Sequence, residues 1–277
     1  MSTYLIGDVH GCYDELMELL EKASFDEKLD YLWFTGDLTN RGSKSLEVLR
    51  FVSNLGIRAR VVLGNHDINL ISMYANVKHK KLEDEIISRI LKAKDIDYLI
   101  YWLRKQSFLQ IDETKKIIMV HAGIHPFWNI DAARTYSKKL ESFLHNKNYD
   151  KLLNGIFDNN SIKYIDNSFK KLDRLSFSLN VFTRMRYCYN NGTLDMKVKT
   201  SPSLNTSASL LPWFLINNIS LKNYYVFFGH WASLKSNLTP LKIIPLDTGC
   251  CWGGYLSMFR FEDKMWFNQS SYIKKYM

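Results

Sequence analysis

No apolar run in this 277-residue chain approaches the roughly 20 residues that a membrane-spanning helix needs. Asp8 arrives too early for the apolar region of a signal peptide to precede it. Cysteine is scarce: of Cys12, Cys188, Cys250 and Cys251, the adjacent pair 250 and 251 cannot be bridged to each other without strain. Four such residues read as reduced thiols, which excludes a disulfide-stapled secreted scaffold and makes the cytoplasm the expected compartment. No low-complexity block or Gly/Ser-rich linker marks off a second independent unit. The expectation is one domain over residues 1–277, with no membrane association and no obligate protein partner.

What is present, 46% hydrophobic and 23% charged residues, suffices for a substantial core. The net charge of +9 suits polyanionic partners such as nucleotides or RNA. Lys, Asn and Ile are spread along the whole length, however, as an AT-biased genome would produce, so the charge carries little functional weight.

The first 70 residues repeat one unit, a short apolar run ending in a Gly-Asp or Gly-Asn turn and followed by a helix-like segment. Thr3 to Ile6 leads to Gly7-Asp8, Tyr31 to Thr35 to Gly36-Asp37, and Ala59 to Leu63 to Gly64-Asn65. Between them Leu16, Leu19, Leu20 and Ala23, then Leu46, Leu49 and Val52, recur at helical spacing. This β-α-β-α-β order predicts an α/β fold, a sheet buried between helical layers with polar residues gathered at the carboxyl ends of its strands. Helices are expected over Leu82 to Lys105, and a hairpin over Phe108 to Ile111 and Lys116 to Val120. Residues from about 130 to 220, with the helical stretch Ala132 to Leu144, read as an α-rich cap or insertion. Strand character returns at Tyr224 to Phe228, Leu241 to Leu246, Tyr255 to Phe261 and Lys264 to Asn268.

The strand ends deliver metal-binding side chains. Asp8 and His10 lie in Gly-Asp-Val-His-Gly, Asp37 in Gly-Asp-Leu-Thr-Asn-Arg-Gly, Asn65 and His66 in Gly-Asn-His-Asp, His121 in His-Ala-Gly and His230 in Gly-His-Trp. A lone Asp or His in such a place is more often a turn cap or a satisfied core residue. Five strand ends in an order that one sheet can bring together instead favour a metal centre. Carboxylate, amide oxygen and imidazole together suit Mn, Fe, Zn, Co or Ni better than Mg or Ca.

These blocks resemble the calcineurin-like metallophosphoesterases, in the phosphoprotein-phosphatase branch. Five segments, 63–67, 119–124, 182–188, 228–233 and 246–254, further resemble the bacterial symmetrical bis(5'-nucleosyl)-tetraphosphatases. The resemblance runs from residue 7 to about 254. It implies a sandwich of central β-sheets flanked by helices, and hydrolysis of diadenosine tetraphosphate to two ADP. Asp8, His10 and Asp37 would then hold one divalent cation, and Asp37, Asn65, His121 and His230 a second, with Asp37 as the bridge and a shared water activated for attack on phosphorus. By the same resemblance His66 assists the leaving oxygen and Arg41 clamps phosphate, while Arg184 and Arg186 either hold the rest of the polyphosphate or form ordinary surface salt bridges.

One departure stands out. Many relatives have Asp where this chain has Asn40, which can accept a hydrogen bond from His66 but brings no negative charge. Weaker acid help suits a phosphoanhydride, whose leaving group is a phosphate with a last pKa of about 6. Asp67 and Asp247 are secondary candidates that shape the site, and Trp231 or Trp252 is available to stack on adenine. His125 is expected as an exposed loop residue and Cys250 as packing. The competing functions are phosphoprotein phosphatase and non-catalytic nucleotide or RNA binding; dinucleotide-capped RNA is a further candidate substrate.

Overall fold

The computed structural model describes residues 1–77, 85–159, 162–163, 170–202, 209–216, 218–234 and 238–273. Its strands are β1 Thr3–Ile6, β2 Tyr31–Phe34, β3 Ala59–Val61, β4 Leu109–Asp112, β5 Ile117–Val120, β6 Tyr187–Tyr189, β7 Leu194–Asp195, β8 Leu210–Pro212, β9 Tyr225–Phe228, β10 Ile243–Pro245, β11 Tyr255–Arg260 and β12 Met265–Ser270. The helices are α1 Tyr13–Lys22, α2 Ser45–Asn54, α3 Asn65–Tyr74, α4 Glu85–Leu91, α5 Ile96–Arg104, α6 Ile130–His145, α7 Tyr149–Asn159 and α8 Lys171–Arg184. Leu82, where the sequence expectation began its helical stretch, lies outside the described residues.

The strands form two main sheets, the sandwich that the family resemblance implied, rather than the single converging sheet that the motif order alone suggested. One runs β12-β11-β1-β2-β3, with β1, β2 and β3 parallel; the other runs β10-β9-β5-β4, with β10, β9 and β5 parallel. Side chains of successive strand residues point to opposite faces. Leu5, Trp33 and Phe259 of the first sheet, with Val62 beyond β3, thereby meet Ile117, Met119 and Phe227 of the second, with Leu246 beyond β10, in a closed apolar layer. The alternate residues Tyr4, Ile6, Leu32, Phe34, Ile118, Val120, Val226 and Phe228 join the larger core shared with the helices. Apolar runs long enough to be buried on both faces do not reveal which strands pair, so the sequence pattern could not separate one sheet from two.

Between residues 130 and 220 lie α6, α7 and α8, together with a small antiparallel sheet, β7-β6-β8, that the helical reading did not anticipate. The His125 loop turns under this region. His125 is fully buried rather than exposed, because the rings of Phe127, Trp128 and Phe177 surround it and the Gly192 carbonyl accepts from its Nε2 at 2.9 Å. Burial lowers its pKa to about 4, so the ring stays neutral.

Because Phe227 sits in the layer that joins the sheets, Phe227→Ala should cost about 3–5 kcal/mol of unfolding free energy. Urea denaturation checks this, and a loss below about 1 kcal/mol would show that the inter-sheet layer is not a principal source of cohesion.

Candidate metal centre

Every parallel strand of both sheets ends at one rim of the sandwich. There β1 delivers Asp8 and His10, β2 Asp37, β3 Asn65 and His66, β5 His121, β9 His230 and β10 Asp247. Open strand ends of this kind leave backbone groups and loops available for a ligand. The rim forms a cleft of about 440 Å³ lined by Asp8, His10, Asp37, Arg41, Asn65, His66, Arg184, Arg186, His230 and Asp247. Of the remaining sequence candidates, His121 and Asp67 are fully buried, and Asn40 is reached through its contact with His66.

Asp37 sits at the centre. Its Oδ2 lies 3.5 Å from His10 Nε2 and 3.5 Å from His121 Nε2, while its Oδ1 accepts from the His66 backbone N–H at 2.8 Å. His121 Nε2 is also 3.2 Å from Asn65 Oδ1. Two sets of donor atoms cluster around this carboxylate, Asp37 with His121 and His230, and Asp37 with His10 and His66. The second set draws in His66, which the resemblance had placed in the leaving-group role rather than among the ligands.

Carbonyl oxygens fix the tautomers, because a carbonyl only accepts. Thr35 O faces His121 Nδ1 at 2.8 Å, Thr39 O faces His10 Nδ1 at 3.1 Å, and Arg184 O faces His230 Nε2 at 3.1 Å. Each ring therefore carries its proton on the nitrogen turned away from the centre and offers the other to a cation. Burial lowers the pKa of His10 to about 4 and of His121 to about 3, and depresses His230 as well, which keeps these imidazoles neutral.

Two carboxylates act as staples. Asp67, at the start of α3, accepts from the backbone N–H groups of Asp37 at 2.8 Å, Gly64 at 2.9 Å and Leu38 at 3.1 Å, locking the β2 loop to the β3 loop. Asp8 accepts from Thr35 Oγ1 at 2.7 Å and from the His230 N–H at 2.9 Å, which joins the two sheets. These connections hold a strained backbone: His10, Asp37, Asn40, Arg41 and His230 all have φ between 47° and 78°. Non-glycine residues there cost roughly 1–3 kcal/mol each and persist only when surroundings over-determine them. The glycines beside them leave no room for a side chain, since a Cβ on Gly64 would fall on Asp37 Oδ1 and one on Gly229 on Asp8 Oδ1.

Asn40 meets His66 in the sense opposite to that expected. The Arg41 backbone N–H, which only donates, holds Asn40 Oδ1 at 2.9 Å, so the amide Nδ2 faces His66 Nδ1 at 2.7 Å and donates to it. His66 consequently keeps its own proton on Nε2.

Among the described residues, the buried Arg186 Nε and Trp231 Nε1 have no hydrogen-bond partner, and both side chains line the cleft. Arg186 also donates from an Nη to His230 O at 2.8 Å. Arg41 stacks on the exposed Trp252 with its guanidinium carbon 4.9 Å from a ring centroid, whereas Trp231 is buried. Sequence reading missed Met196, Lys199 and Ser233, which complete the far wall, and Thr35, which holds both Asp8 and His121. Thr35 had a legible signal, as a polar residue closing an apolar run just before Gly36-Asp37, and Ser233 lay within the resembling segment 228–233; Met196 and Lys199 had none.

The calcineurin-like phosphoesterase family model matches residues 1–234. The symmetrical bis(5'-nucleosyl)-tetraphosphatase of Buchnera aphidicola subsp. Baizongia pistaciae (strain Bp) is 61% identical, over 99% of this chain and all of that one. The protein of the same name from Proteus mirabilis (strain HI4320) is 48% identical over 98% of each. A crystal structure of a putative diadenosine tetraphosphatase shares the fold, with a TM-score of 0.67 at 22% identity, covering 99% of this chain and 95% of the other. The chain belongs to the calcineurin-like phosphoesterases and, within them, to the family of the symmetrical bis(5'-nucleosyl)-tetraphosphatases. Membership implies divalent metal ions, and the carboxylate, amide and neutral imidazole donors around Asp37 fit them.

Burial raises the carboxyl pKa values of Asp8 and Asp37, and brings Asp67 and Asp247 up to about 6. Without cations the site favours bound protons; that contribution to stability is present at low pH and lost as pH rises through about 6, while cations compete better as the protons leave. The drop in Tm on adding a chelator should therefore be larger at about pH 8 than at about pH 5. Thermal unfolding at both values decides it, and an equal drop would show that protons and cations do not share these groups.

Proposed function

We propose that this chain hydrolyses diadenosine tetraphosphate symmetrically, releasing two ADP. The observation that carries the reading is Asp37 Oδ2, equidistant at 3.5 Å from imidazole nitrogens on two different sheets, on the floor of a cleft walled by Arg41, Arg184 and Arg186. Kinship at 48–61% identity with proteins named for the symmetrical tetraphosphatase activity supports the same substrate class.

In this proposal Asp8, His10 and Asp37 hold one cation, and Asp37, Asn65, His121 and His230 the other. The bound cations would supply Lewis-acid charge and lower the pKa of a water for in-line attack. Manganese, cobalt, nickel, iron and zinc all suit the donors. Arg41 binds phosphate with its fork of donors, held in place by Trp252; Arg186 offers its unpartnered Nε, and Arg184 and Lys199 add positive charge along the far wall. The amino end of α3, which carries Asn65 and His66, points partial positive charge at the same place. His66 donates from Nε2 to the departing phosphate oxygen as a neutral imidazole. RNA capped by a dinucleoside polyphosphate presents the same bridging chain and falls within the same proposal. So does a cytoplasmic setting, supported by four buried, unbridged cysteines.

Product analysis tests the activity. Metal-loaded protein given diadenosine tetraphosphate should yield ADP alone; AMP with ATP in equal amounts, or no nucleotide product, would overturn the reading.

The Asn40 contact separates anhydride from monoester substrates, including phosphoproteins. An imidazolium at His66 would meet an N–H where Asp would offer an acceptor, so this chain is poorly equipped to protonate an alkoxide. Asn40→Asp should lower the ratio of dinucleotide to seryl or alkyl phosphate turnover by at least about tenfold. An unchanged ratio would remove Asn40 from the specificity argument.

A further inference from the structure

A second group of potential ligands lies outside the cleft. Cys12 precedes α1, Glu15 is one turn further along it, and Cys250 opens the short 3-10 turn Cys250–Trp252, yet the Cys12 and Cys250 sulfurs and a Glu15 carboxylate oxygen all lie within 4.8 Å of one another. Positions three apart share a helix face, which brings Cys12 and Glu15 to the same side. All three residues are buried, at 3%, 5% and 1% exposure, and Cys251 beside them is at 7%. No disulfide joins them.

The carboxylate is what a pair of inert core thiols leaves unexplained. Glu15 accepts the backbone N–H of Tyr272 at 2.9 Å and its own backbone N–H, and among the described residues no Lys or Arg forms an ion pair with it; Lys44, nearby, is paired with Asp14 at 2.7 Å. A buried carboxylate without a cation is costly, and thiols do not offset its charge. A thiophilic divalent cation does, since thiolate sulfur and carboxylate oxygen are both zinc ligands, and donor separations of a few ångströms are those a tetrahedral site needs.

We propose that Cys12, Glu15 and Cys250 form a structural site for a zinc-like divalent cation, separate from the Asp37 centre. Binding forms two metal–thiolate bonds and one metal–carboxylate bond and releases the two thiol protons to solvent; a water or Cys251 completes the tetrahedron. The cation ties the chain just after His10 to the turn that carries Trp252, so it holds two edges of the cleft in register. The idea does not depend on which phosphoanhydride is cleaved.

Cobalt reports on it directly, because sulfur ligands give Co(II) a charge-transfer absorption in the near ultraviolet that nitrogen and oxygen ligands do not. The cobalt-loaded protein should show this band and bind one equivalent beyond those in the cleft. Cys12→Ser and Cys250→Ser should each lose the band with that equivalent, whereas Asp37→Asn should keep it. Should the cysteine variants fail to fold, X-ray absorption of the zinc-loaded natural chain serves instead, with sulfur expected at about 2.3 Å from zinc. Loaded protein with no sulfur band and only nitrogen and oxygen neighbours, a band that survives both cysteine changes, or a Cys12–Cys250 disulfide in the freshly isolated protein would overturn the proposal.

Discussion

Asp37 must keep a carboxylate buried at the junction of two sheets, with one oxygen turned to a backbone N–H and the other placed between His10 and His121. Burial opposes its charge, and the neighbouring Asp67 and Asp247 oppose it further. Only positive charge from bound cations and fixed backbone dipoles reverses that balance. The loops at the carboxyl rim, the positive-φ residues and the carbonyl-fixed imidazoles all serve to hold this one unfavourable group where cations can reach it.

Such a centre stays assembled because the restraints interlock rather than act singly. The Asp67 carboxylate joins the β2 and β3 loops, the β1 and β2 loops exchange a His10 N–H to Asp37 O bond of 2.8 Å, and Asp8 reaches across to the His230 N–H. The stretch from 130 to 220 is connected as well: Arg184 O and an Arg186 Nη both bond to His230. Displacement of α8 would thus disturb His230 together with the Arg184 and Arg186 side chains that line the cleft. That coupling links the stretch from 130 to 220 to the residues of the cleft.

Much of this was legible in the chain because both levels of the design obey short-range rules. Each Gly-Asp or Gly-Asn turn announces a strand end, and helical spacing after it announces the return helix, so the order of the elements and the ligand-bearing positions emerge together. Partner choice between strands is long-range and depends on which apolar faces meet, so the division into two sheets came only from the family resemblance and not from the strand pattern, and the small β6–β8 sheet stayed hidden. His125 was misjudged because a histidine in a polar-looking loop gives no hint of the aromatic residues that close over it from α8 and residues 127–128. Lys199 had no motif around it, and its place on the cleft wall depends on how residues 130–220 fold back; Ser233 closes the 228–233 segment but is three residues past His230, so the segment did not mark it as a site residue.

The Asn40–His66 pair shows why direction matters as much as proximity. A sequence reading sees an amide that lacks charge; the structure adds that the amide is turned, because the Arg41 N–H claims its oxygen. An amide so fixed does more than withhold stabilisation from an imidazolium, since it presents a proton to the nitrogen that would need to hold one. His66 is left able to donate a hydrogen bond from Nε2, which in the proposed reaction would suffice for a departing phosphate whose charge is delocalised over its oxygens. An alkoxide concentrates its charge on one atom and needs the whole proton. In the proposed reaction the restriction on leaving group rests on a single backbone N–H, and that N–H is placed by Arg41 adopting φ of 78°, the residue whose side chain also lies beside Trp252.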